Sequence, residues 1–367
     1  MTIQATTTPK ADLLSMDMAE LEAFVKALGE PRFRAQQIFE WMHRGASFSE
    51  MTNLSGGLRE KLAANAVLYV PRILEKYVSA KDGTVKYLWE LYDGENVESV
   101  FMRYHHGNTI CISTQAGCRM GCAFCASTVG GKVRDLLPSE MLGQVIAAQR
   151  DMGERISGIV LMGIGEPLDN YDNVLRFLRL VNHERGLGIG HRHISLSTCG
   201  LVDGIDRLAE EGLGITLSVS LHAPTDELRS RIMPVNRKWN VEQLLCATVR
   251  YFEKTGRRIS FEYTLISGQN DTAEEAAALV AVMRKYIGRA MPIHINLIPV
   301  NPIRERSFQA SDEGRIRRFA AYLEKNGMTA TVRRTLGPDI NASCGQLRNQ
   351  KHQSEKDTDE TNIKETE

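Results

Sequence analysis

The sequence lacks any long apolar run. Its longest one, AAALVAVM at residues 276–283, is far shorter than the ~20 apolar residues that a membrane-spanning helix needs. The first ten residues, MTIQATTTPK, also lack the apolar core of a secretory signal peptide. The sequence therefore predicts a cytoplasmic protein that makes no contact with a membrane.

An excess of charge of one sign is also missing. The chain has 45 basic and 45 acidic residues, so its formal net charge is +0. Without the polar tail at 351–367, which carries three lysines and six acids, the body has 42 basic and 39 acidic residues. Such a weak bias neither requires nor excludes a nucleic-acid partner, which must be inferred from motifs. The tail and residues 1–15 have the composition of disordered segments.

A fourth ligand is missing next to a cysteine triplet. In CRMGCAFC, the residues Cys118, Cys122 and Cys125 have C-x3-C-x2-C spacing, and the next histidine pair, His191 and His193, lacks ligand spacing. We interpret these histidines as surface or RNA-facing residues. The residues alone leave three interpretations of the triplet open. The first interpretation is that the cysteines are buried small side chains. The second is a structural zinc site, which requires four ligands, and the third is a four-iron cluster with one open iron. The clustering of the seven cysteines is typical of ligands or reagents in a reducing compartment.

The rhythm of the chain changes along its length. Residues 16–66 carry apolar residues at three- and four-residue steps, which predicts a small helical N-terminal domain. Residues 67–103 contain short predicted strands separated by turn residues, and we call them the β linker. From 104 to 339, strands and helices alternate in six or seven β/α units, and a C-terminal segment follows at 340–350. This pattern predicts an α/β fold whose core is a partial or near-closed parallel (β/α) barrel.

Unusual residues follow the predicted core strands. The cysteine triplet follows the first strand, GIGEP at 163–167 the second, STCG at 197–200 the third, SLHAP at 220–224 the fourth and PVNP at 299–302 the sixth. In a parallel barrel the C-terminal ends of the strands gather at one end, where active sites lie. The sequence therefore predicts a site at that end of the barrel.

The cysteine triplet resembles the CxxxCxxC motif of the radical S-adenosylmethionine (SAM) superfamily, and Phe124 matches that family's usual aromatic residue. The resemblance implies a barrel of the radical SAM type and a [4Fe-4S] cluster held by Cys118, Cys122 and Cys125. In such enzymes SAM binds the open iron through its amino and carboxylate groups, so the cofactor supplies the missing ligand. GIGEP resembles the element that these enzymes place against the SAM amino group, where the carboxylate of Glu166 suits an ammonium.

Eight blocks in the same order are similar to the dual-specificity RNA adenine-C2 methyltransferase family RlmN. The resemblance implies methylation of C2 of a specific adenine in 23S ribosomal RNA and in certain tRNAs, with two SAM per turnover. One SAM would methylate Cys344, a 5′-deoxyadenosyl radical from the second would remove a hydrogen from that methyl group, and the carbon radical would join the RNA to the enzyme. The blocks are FRAQQIFEWMHRG, VESVFM, TICISTQAGCRMGCAFCAST, LMGIGEPLDNYDNV, HISLSTCG, SVSLHAPTDELRSRIMPVN, INLIPVNP and TVRRTLGPDINASCGQL.

The same resemblance implies roles for individual residues. Cys111 matches a resolving thiol, which releases the RNA through a transient disulfide with Cys344. Glu98 matches a carboxylate proposed as proton acceptor. The alternative interpretation is that Glu98 is an exposed strand residue without a catalytic role. The SAM-binding positions carried over are Gly165, Glu166, Ser197, Ser220, Leu221, His222 and Asn301.

The partners that the resemblance implies are 23S ribosomal RNA, tRNA and an external one-electron reductant such as flavodoxin or ferredoxin. The absence of heptads and of an exposed apolar stripe predicts a monomer. Two alternatives stay open, namely the C8-methylating relative Cfr, which shares the cluster and both working cysteines, and an RNA-binding iron–sulfur protein without methyltransferase activity. Candidate phosphate-binding residues are Arg32, Arg34, Arg229, Arg231, Arg237, Arg304, Arg306, Arg333 and Arg334.

Overall fold

The computed structural model describes residues 10–303, 306–340 and 347. Its first part is helical, as predicted, and is closed by two short strands that pair in parallel. The prediction of disorder is wrong for residues 11–15, because they form a strand and a helical turn and bury Leu13 and Leu14. The elements of this part are β1 (Ala11–Asp12), α1 (Met18–Ala27), α2 (Phe33–His43), α3 (Gly56–Asn65) and β2 (Ala66–Val67).

Capping residues define where these helices begin. The side chain of Asp17 accepts a hydrogen bond from the backbone N–H of Glu20 at 2.9 Å, and the Glu20 carboxylate accepts one from the N–H of Asp17 at 3.0 Å. This reciprocal pair satisfies two backbone donors that the first turn of α1 leaves without partners. Leu21 and Val25, four residues apart on one helix face, are fully buried.

The β linker joins the main sheet instead of forming a separate layer. Its strands β3 (Arg72–Val78), β4 (Val85–Glu90) and β5 (Asn96–Tyr104) form an antiparallel meander, and β5 pairs with β6 (Gly107–Cys111). Because β6 also pairs in parallel with the next core strand, the linker extends one edge of a ten-stranded sheet.

Parallel strands in chain order form the rest of this sheet, which confirms the predicted α/β fold. After β6 they are β9 (Ile156–Leu161), β10 (Ile194–Thr198), β11 (Thr216–Ser220), β12 (Ile259–Leu265), β13 (His294–Pro299) and β14 (Thr329–Val332). A small antiparallel pair, β7 (Gln115–Gly117) and β8 (Lys132–Asp135), stands apart. The helices are α4 (Pro138–Met152), α5 (Tyr171–Asn182), α6 (Val202–Glu210), α7 (Asp226–Ile232), α8 (Val241–Thr255), α9 (Ala273–Tyr286) and α10 (Glu313–Lys325). None of the described helices combines the length and apolar character that a membrane crossing demands.

The sheet curls so that its last strand returns toward β5 and β6. Leu336, just after β14, packs against a cluster formed by Val100, Met102 and Cys111. The two ends of the parallel run therefore enclose a common interior, as in a partial barrel.

Two aspartates tie the segment after β14 to the β3–β4 turn. Asp82 in that turn accepts a hydrogen bond from the backbone N–H of Gly337 at 2.9 Å. In return, Asp339 accepts hydrogen bonds from the hydroxyl of Ser79 at 2.7 Å and from the N–H of Ala80 at 3.0 Å. The C-terminal segment is thus attached to the β linker immediately before residues 341–346.

Candidate active site

The cysteine triplet lies on a loop closed by β7 and β8. The backbone N–H of Cys118 donates to the carbonyl of Gly131 at 3.0 Å, and the N–H of Cys125 donates to the carbonyl of Cys122 at 3.1 Å. The hydroxyl of Thr128 donates to the carbonyl of Cys125 at 2.9 Å. These bonds hold the three cysteines in a compact loop that follows the first parallel strand.

The environment of these thiols fits a cationic iron–sulfur group. Cys118 and Cys122 are only 6% and 8% exposed. Burial raises the pKa of the Cys118 thiol to about 12 and raises that of Cys122 well above its ordinary value. Adjacent buried thiolates are therefore unstable without a bound cation, and metal binding supplies one.

No three His, Cys, Asp or Glu side chains of the described residues converge closely enough to hold a single metal ion. In a [4Fe-4S] cluster each thiolate binds its own iron, so convergence on one point is not what that group requires.

A cavity of about 390 Å³ and a smaller one of about 140 Å³ meet at the cysteine loop. The smaller cavity brings together five of the seven predicted SAM positions and the three cysteines. Leu221, between Ser220 and His222, is buried and does not line this cavity, and Asn301 lines the larger one. The predicted residues that line the smaller cavity are Gly165, Glu166, Ser197, Ser220, His222, Cys118, Cys122 and Cys125.

The GIGEP loop requires its glycines because it lies directly on the loop after β6. A Cβ on Gly163 would lie 2.5 Å from the carbonyl oxygen of Ile112. Gly165 has φ of +116°, and a Cβ there would lie 2.7 Å from the Thr114 hydroxyl and 2.8 Å from the Gln115 side chain. This close approach places the next residue, Glu166, in the smaller cavity.

Glu166 is a buried carboxylate held by backbone donors. Its two oxygens accept hydrogen bonds from the N–H of Cys199 at 2.7 Å and from the N–H of Leu168 at 3.1 Å. Burial raises the pKa of Glu166, while these donors act in the opposite direction. A carboxylate fixed in this way presents a defined negative group to a bound ammonium.

His222 is neutral and fixed in one tautomer. Burial lowers its pKa to about 3, and its Nδ1 accepts a hydrogen bond from the N–H of Thr264 at 2.9 Å, so the proton lies on Nε2. Its backbone adopts φ of +57°, a strained value for a residue with a side chain. The ring meets Phe124 edge-on, with 4.8 Å between the ring centroids.

Arg229 is a site residue whose role the sequence did not reveal. It was a candidate phosphate ligand, and this interpretation is wrong because the residue is completely buried. Its guanidinium donates to the carbonyls of Leu221, Ser220 and Cys199, the last at 2.6 Å. Burial lowers its pKa to about 10, and the nearby Cys199 and Cys122 act in the opposite direction.

Two further basic candidates also have internal partners. Arg32 forms an ion pair with Glu22 at 2.7 Å. The ring of His191 donates to the carbonyl of Leu178 at 3.0 Å, so this histidine is not simply a surface residue, whereas His193 is exposed. Arg304 lies outside the described residues.

The larger cavity lies between β5, β6 and the segments after β13 and β14. Cys111, at the end of β6, forms part of its wall together with Asn301. Phe124 and Cys125 line this cavity as well as the smaller one, so the cysteine loop is a wall common to both. Cys344 lies outside the described residues, and its pairing with Cys111 stays a prediction.

Glu98 is buried, not an exposed strand residue. It is 2% exposed and forms an ion pair with Lys86, which is 0% exposed, at an N–O distance of 3.0 Å. Glu98 lies two and four residues before Val100 and Met102 in β5, so the three side chains share one face of the strand. Val100 and Met102 line the larger cavity. The carboxylate thus lies on the cavity face of β5.

The comparisons with known proteins first define a class. The family model of the Radical SAM superfamily matches residues 112–280, which include the cysteine loop, GIGEP and the strands behind them. The model of the ribosomal RNA large subunit methyltransferase N-terminal domain matches residues 11–68. A crystal structure of a radical SAM methyltransferase from Sphaerobacter thermophilus has a TM-score of 0.87 and 42% identity, and it covers 92% of this chain and 99% of that one.

Sequence relatives then define the family. The probable dual-specificity RNA methyltransferase RlmN of Lachnoclostridium phytofermentans is 52% identical over 343 residues, which is 93% of this chain and 95% of that protein. The protein of the same description from Desulforamulus reducens is 52% identical over 341 residues, 92% of this chain and 96% of that one. The chain belongs to the RlmN family of radical SAM proteins.

Proposed function

We propose that the protein is an RNA methyltransferase that adds a methyl group to C2 of a specific adenine in 23S ribosomal RNA and in certain tRNAs. One observation carries the proposal. Phe124 and Cys125 form the common wall of a cavity lined by five predicted SAM residues and a larger one lined by Cys111 and Asn301. The larger cavity, about 390 Å³, falls within the size range of small-molecule sites, so a single extruded base is of suitable size.

The chemistry of the target explains why two neighbouring compartments are needed. C2 of adenine is an electron-poor amidine carbon and cannot attack the methyl group of SAM. A carbon radical can add to it. The methyl group must therefore first be transferred to a nucleophile of the protein, and a thiol next to the base serves this purpose. We assign this role to Cys344, which one SAM would convert to S-methylcysteine.

A [4Fe-4S] cluster held by Cys118, Cys122 and Cys125 would supply, with a second SAM, the 5′-deoxyadenosyl radical that activates the S-methyl group. An external one-electron reductant of the flavodoxin or ferredoxin type would feed this site. The contribution of the chain is to hold SAM and to exclude water. Glu166 faces the cluster loop with a fixed carboxylate, and the neutral His222 packs edge-on against Phe124.

Release of the product requires a second thiol. In the adduct the RNA is attached through a methylene carbon to the sulfur of Cys344. Once the adduct radical has lost the C2 proton and has given one electron back to the external one-electron carrier, attack of the Cys111 sulfur on that sulfur forms a disulfide. The methylene carbon leaves with the electron pair, and protonation completes the new methyl group. A thiol reductant must then restore both cysteines. The position of Cys111 in the wall of the larger cavity supports this role.

Glu98 is the candidate acceptor for the proton that C2 loses. An ionised carboxylate is the form that accepts a proton, and the ion pair with Lys86 provides a positive partner 3.0 Å away. Its place on the cavity face of β5 supports the assignment.

The test is nucleoside mass spectrometry after anaerobic incubation of the cluster-reconstituted protein with SAM, a reductant and protein-free ribosomal RNA. The expected product is 2-methyladenosine, which is absent with Cys344→Ala although SAM cleavage persists. Appearance of 8-methyladenosine would assign the C8 reaction instead. An intact cluster and SAM cleavage without either nucleoside would remove the RNA assignment. Methylation that survives Cys344→Ala would remove the carrier role.

A further inference from the structure

The rim of the larger cavity carries aromatic and basic side chains that the methylation chemistry does not use. Tyr104, Arg333 and Arg334 line the cavity. Tyr104 is the last residue of β5 and is 39% exposed, and both arginines follow the end of β14 and are exposed. Strand β5 and the segment after β14 thus meet at the opening.

Tyr104 is stacked on a second ring. Its centroid lies 5.1 Å from that of His106, and the two planes differ by 10°. His105 meets His106 edge-on at 5.0 Å. The hydroxyl of Tyr104 lies 3.5 Å from the sulfur of Met102, a residue of the cavity wall. The ring is therefore supported from behind and still has exposed surface.

The backbone holds this ring pair in place. Tyr104 pairs with Gly107 across a two-residue turn, so the rings sit on a tight hairpin. Gly107 has φ of +124°, and a Cβ there would collide with the hydroxyl of Ser157. A glycine is therefore required at this position of the turn.

Arg333 and Arg334 have no carboxylate oxygen within 4.0 Å among the described residues. By contrast, Arg103, the neighbour of Tyr104 in β5, is paired with Glu154. Both Arg333 and Arg334 lie close enough to Tyr104 to oppose the rise in its pKa that burial causes. Two positive charges next to an exposed ring are the arrangement that binds single-stranded nucleic acid, with stacked bases and paired phosphates.

We propose that Tyr104, supported by His106, is the stacking platform for the nucleotide adjacent to the target adenine, and that Arg333 and Arg334 bind the phosphates that flank it. This inference rests on the proposed function. Extrusion of the adenine removes its neighbours' stacking partner, and an aromatic face at the cavity opening replaces it.

The experiment measures RNA binding without turnover, with SAM omitted. The probe is a fragment of 23S ribosomal RNA containing the adenine that the wild-type protein methylates. Tyr104→Ala should weaken binding roughly 5- to 150-fold, the range for loss of one stacked base, whereas Tyr104→Phe should bind like wild type. The matched control is Tyr322→Ala, because Tyr322 on α10 is 38% exposed and should bind RNA unchanged.

The arginines are tested by the salt dependence of the same binding. Replacing both Arg333 and Arg334 by glutamine should lower the slope of log K against log salt by about 2. Arg289→Gln is the control, since this exposed arginine lies between α9 and β13 and does not line the larger cavity. Cleavage of SAM in the absence of RNA should be equal in all variants.

The outcomes separate the two proposals. If the wild-type protein neither binds nor methylates the RNA, the proposed function fails and the platform fails with it. If the wild type methylates RNA but Tyr104→Ala binds as tightly as Tyr322→Ala, the platform is overturned and the proposed function stands. An unchanged salt slope in the arginine variant would remove the phosphate contacts.

Discussion

The carboxylate of Asp339 accepts a hydrogen bond of 2.7 Å from the hydroxyl of Ser79, across 260 residues of sequence. This bond, with the reverse one from Gly337 to Asp82, fixes the point from which the chain continues toward Cys344. The pKa values of both aspartates are lowered, that of Asp82 to about 2, so the contacts persist in mildly acidic solution.

Loss of this attachment should slow methylation without affecting the SAM site. We expect Asp339→Asn to lower the methylation rate about tenfold, because small displacements of a reacting group are costly. Formation of 5′-deoxyadenosine without RNA should be unchanged, and Glu324→Gln, at an exposed position of α10, is the control. Equal methylation rates in the two variants would show that the attachment has no role in positioning Cys344.

Cys111→Ala should trap the protein on its RNA. Without the resolving thiol, the bond between Cys344 and the methylene carbon cannot be broken by disulfide formation, so at most one adduct forms per protein. Denaturing electrophoresis with labelled RNA measures this adduct. Cys246→Ala, at a partly buried position of α8, should turn over normally. Free methylated RNA at the normal rate from Cys111→Ala would refute the resolving role.

We expect Arg229 to stabilise the fold through its hydrogen bonds and to influence the cluster potential through its positive charge. We expect Arg229→Met to lower the free energy of unfolding by about 3 kcal/mol, because three carbonyls, two of them in fully buried hydrogen bonds, lose their charged donor. Its loss should also lower the midpoint potential of the reconstituted cluster, since a positive charge near the thiolates favours the reduced form. Denaturant titration and a redox titration measure the two effects.

The charge effect has its own controls. Arg229→Lys keeps the charge but loses the fork-shaped donor, so it should be destabilised while its potential stays closer to that of wild type. Arg231→Met, at an exposed position two residues away, should change neither quantity. A wild-type potential in Arg229→Met would contradict the charge effect.

His43 makes the stability of the N-terminal helical region sensitive to acid. The ring is buried and stacked on Phe39, and its Nδ1 donates to the Phe39 carbonyl at 2.9 Å. Burial lowers its pKa from 6.5 to about 4. Between these values the unfolded chain binds a proton that the folded protein does not, so the free energy of unfolding falls as the pH falls and is constant above 6.5.

At pH 5 this linkage amounts to about 2 kcal/mol. We expect urea titrations at pH 7.5 and 5 to show a smaller pH difference for His43→Leu than for wild type. The exposed His193→Gln should keep the wild-type difference. An unchanged pH difference in His43→Leu would mean that another group controls the acid response.

The regular elements and the cysteine loop could be predicted from local sequence because their signals are local. Alternating and helical periodicities predicted the seven parallel strands β6 and β9–β14, and the strand-end motifs predicted that Glu166 and Ser220 would lie near the cysteines. The burial of Arg229 could not be read in this way. Its acceptors are carbonyls of Cys199, Ser220 and Leu221, which have no sequence signature.

Contacts between segments that are distant in sequence could not be predicted from the sequence either. The β7–β8 pair, the joining of the β linker to the core sheet and the bonds of Asp82 and Asp339 depend on how the sheet curls. Periodicity reports which face of an element is buried but not what covers it. The platform at Tyr104 is of this kind, since it needs residues from β5 and from beyond β14 at one opening.

The parallel strands follow one another in the sheet in the order in which they occur in the chain. A ribosome therefore delivers the sheet strand by strand from one edge, and the cysteine loop emerges long before β14. At 5–20 residues per second, roughly 10–40 s separate the synthesis of Cys125 from that of β14. The three cysteines of the proposed cluster site are thus made well before the proposed methyl carrier, Cys344. Newly made protein would become competent for methylation only after Cys344 has been translated.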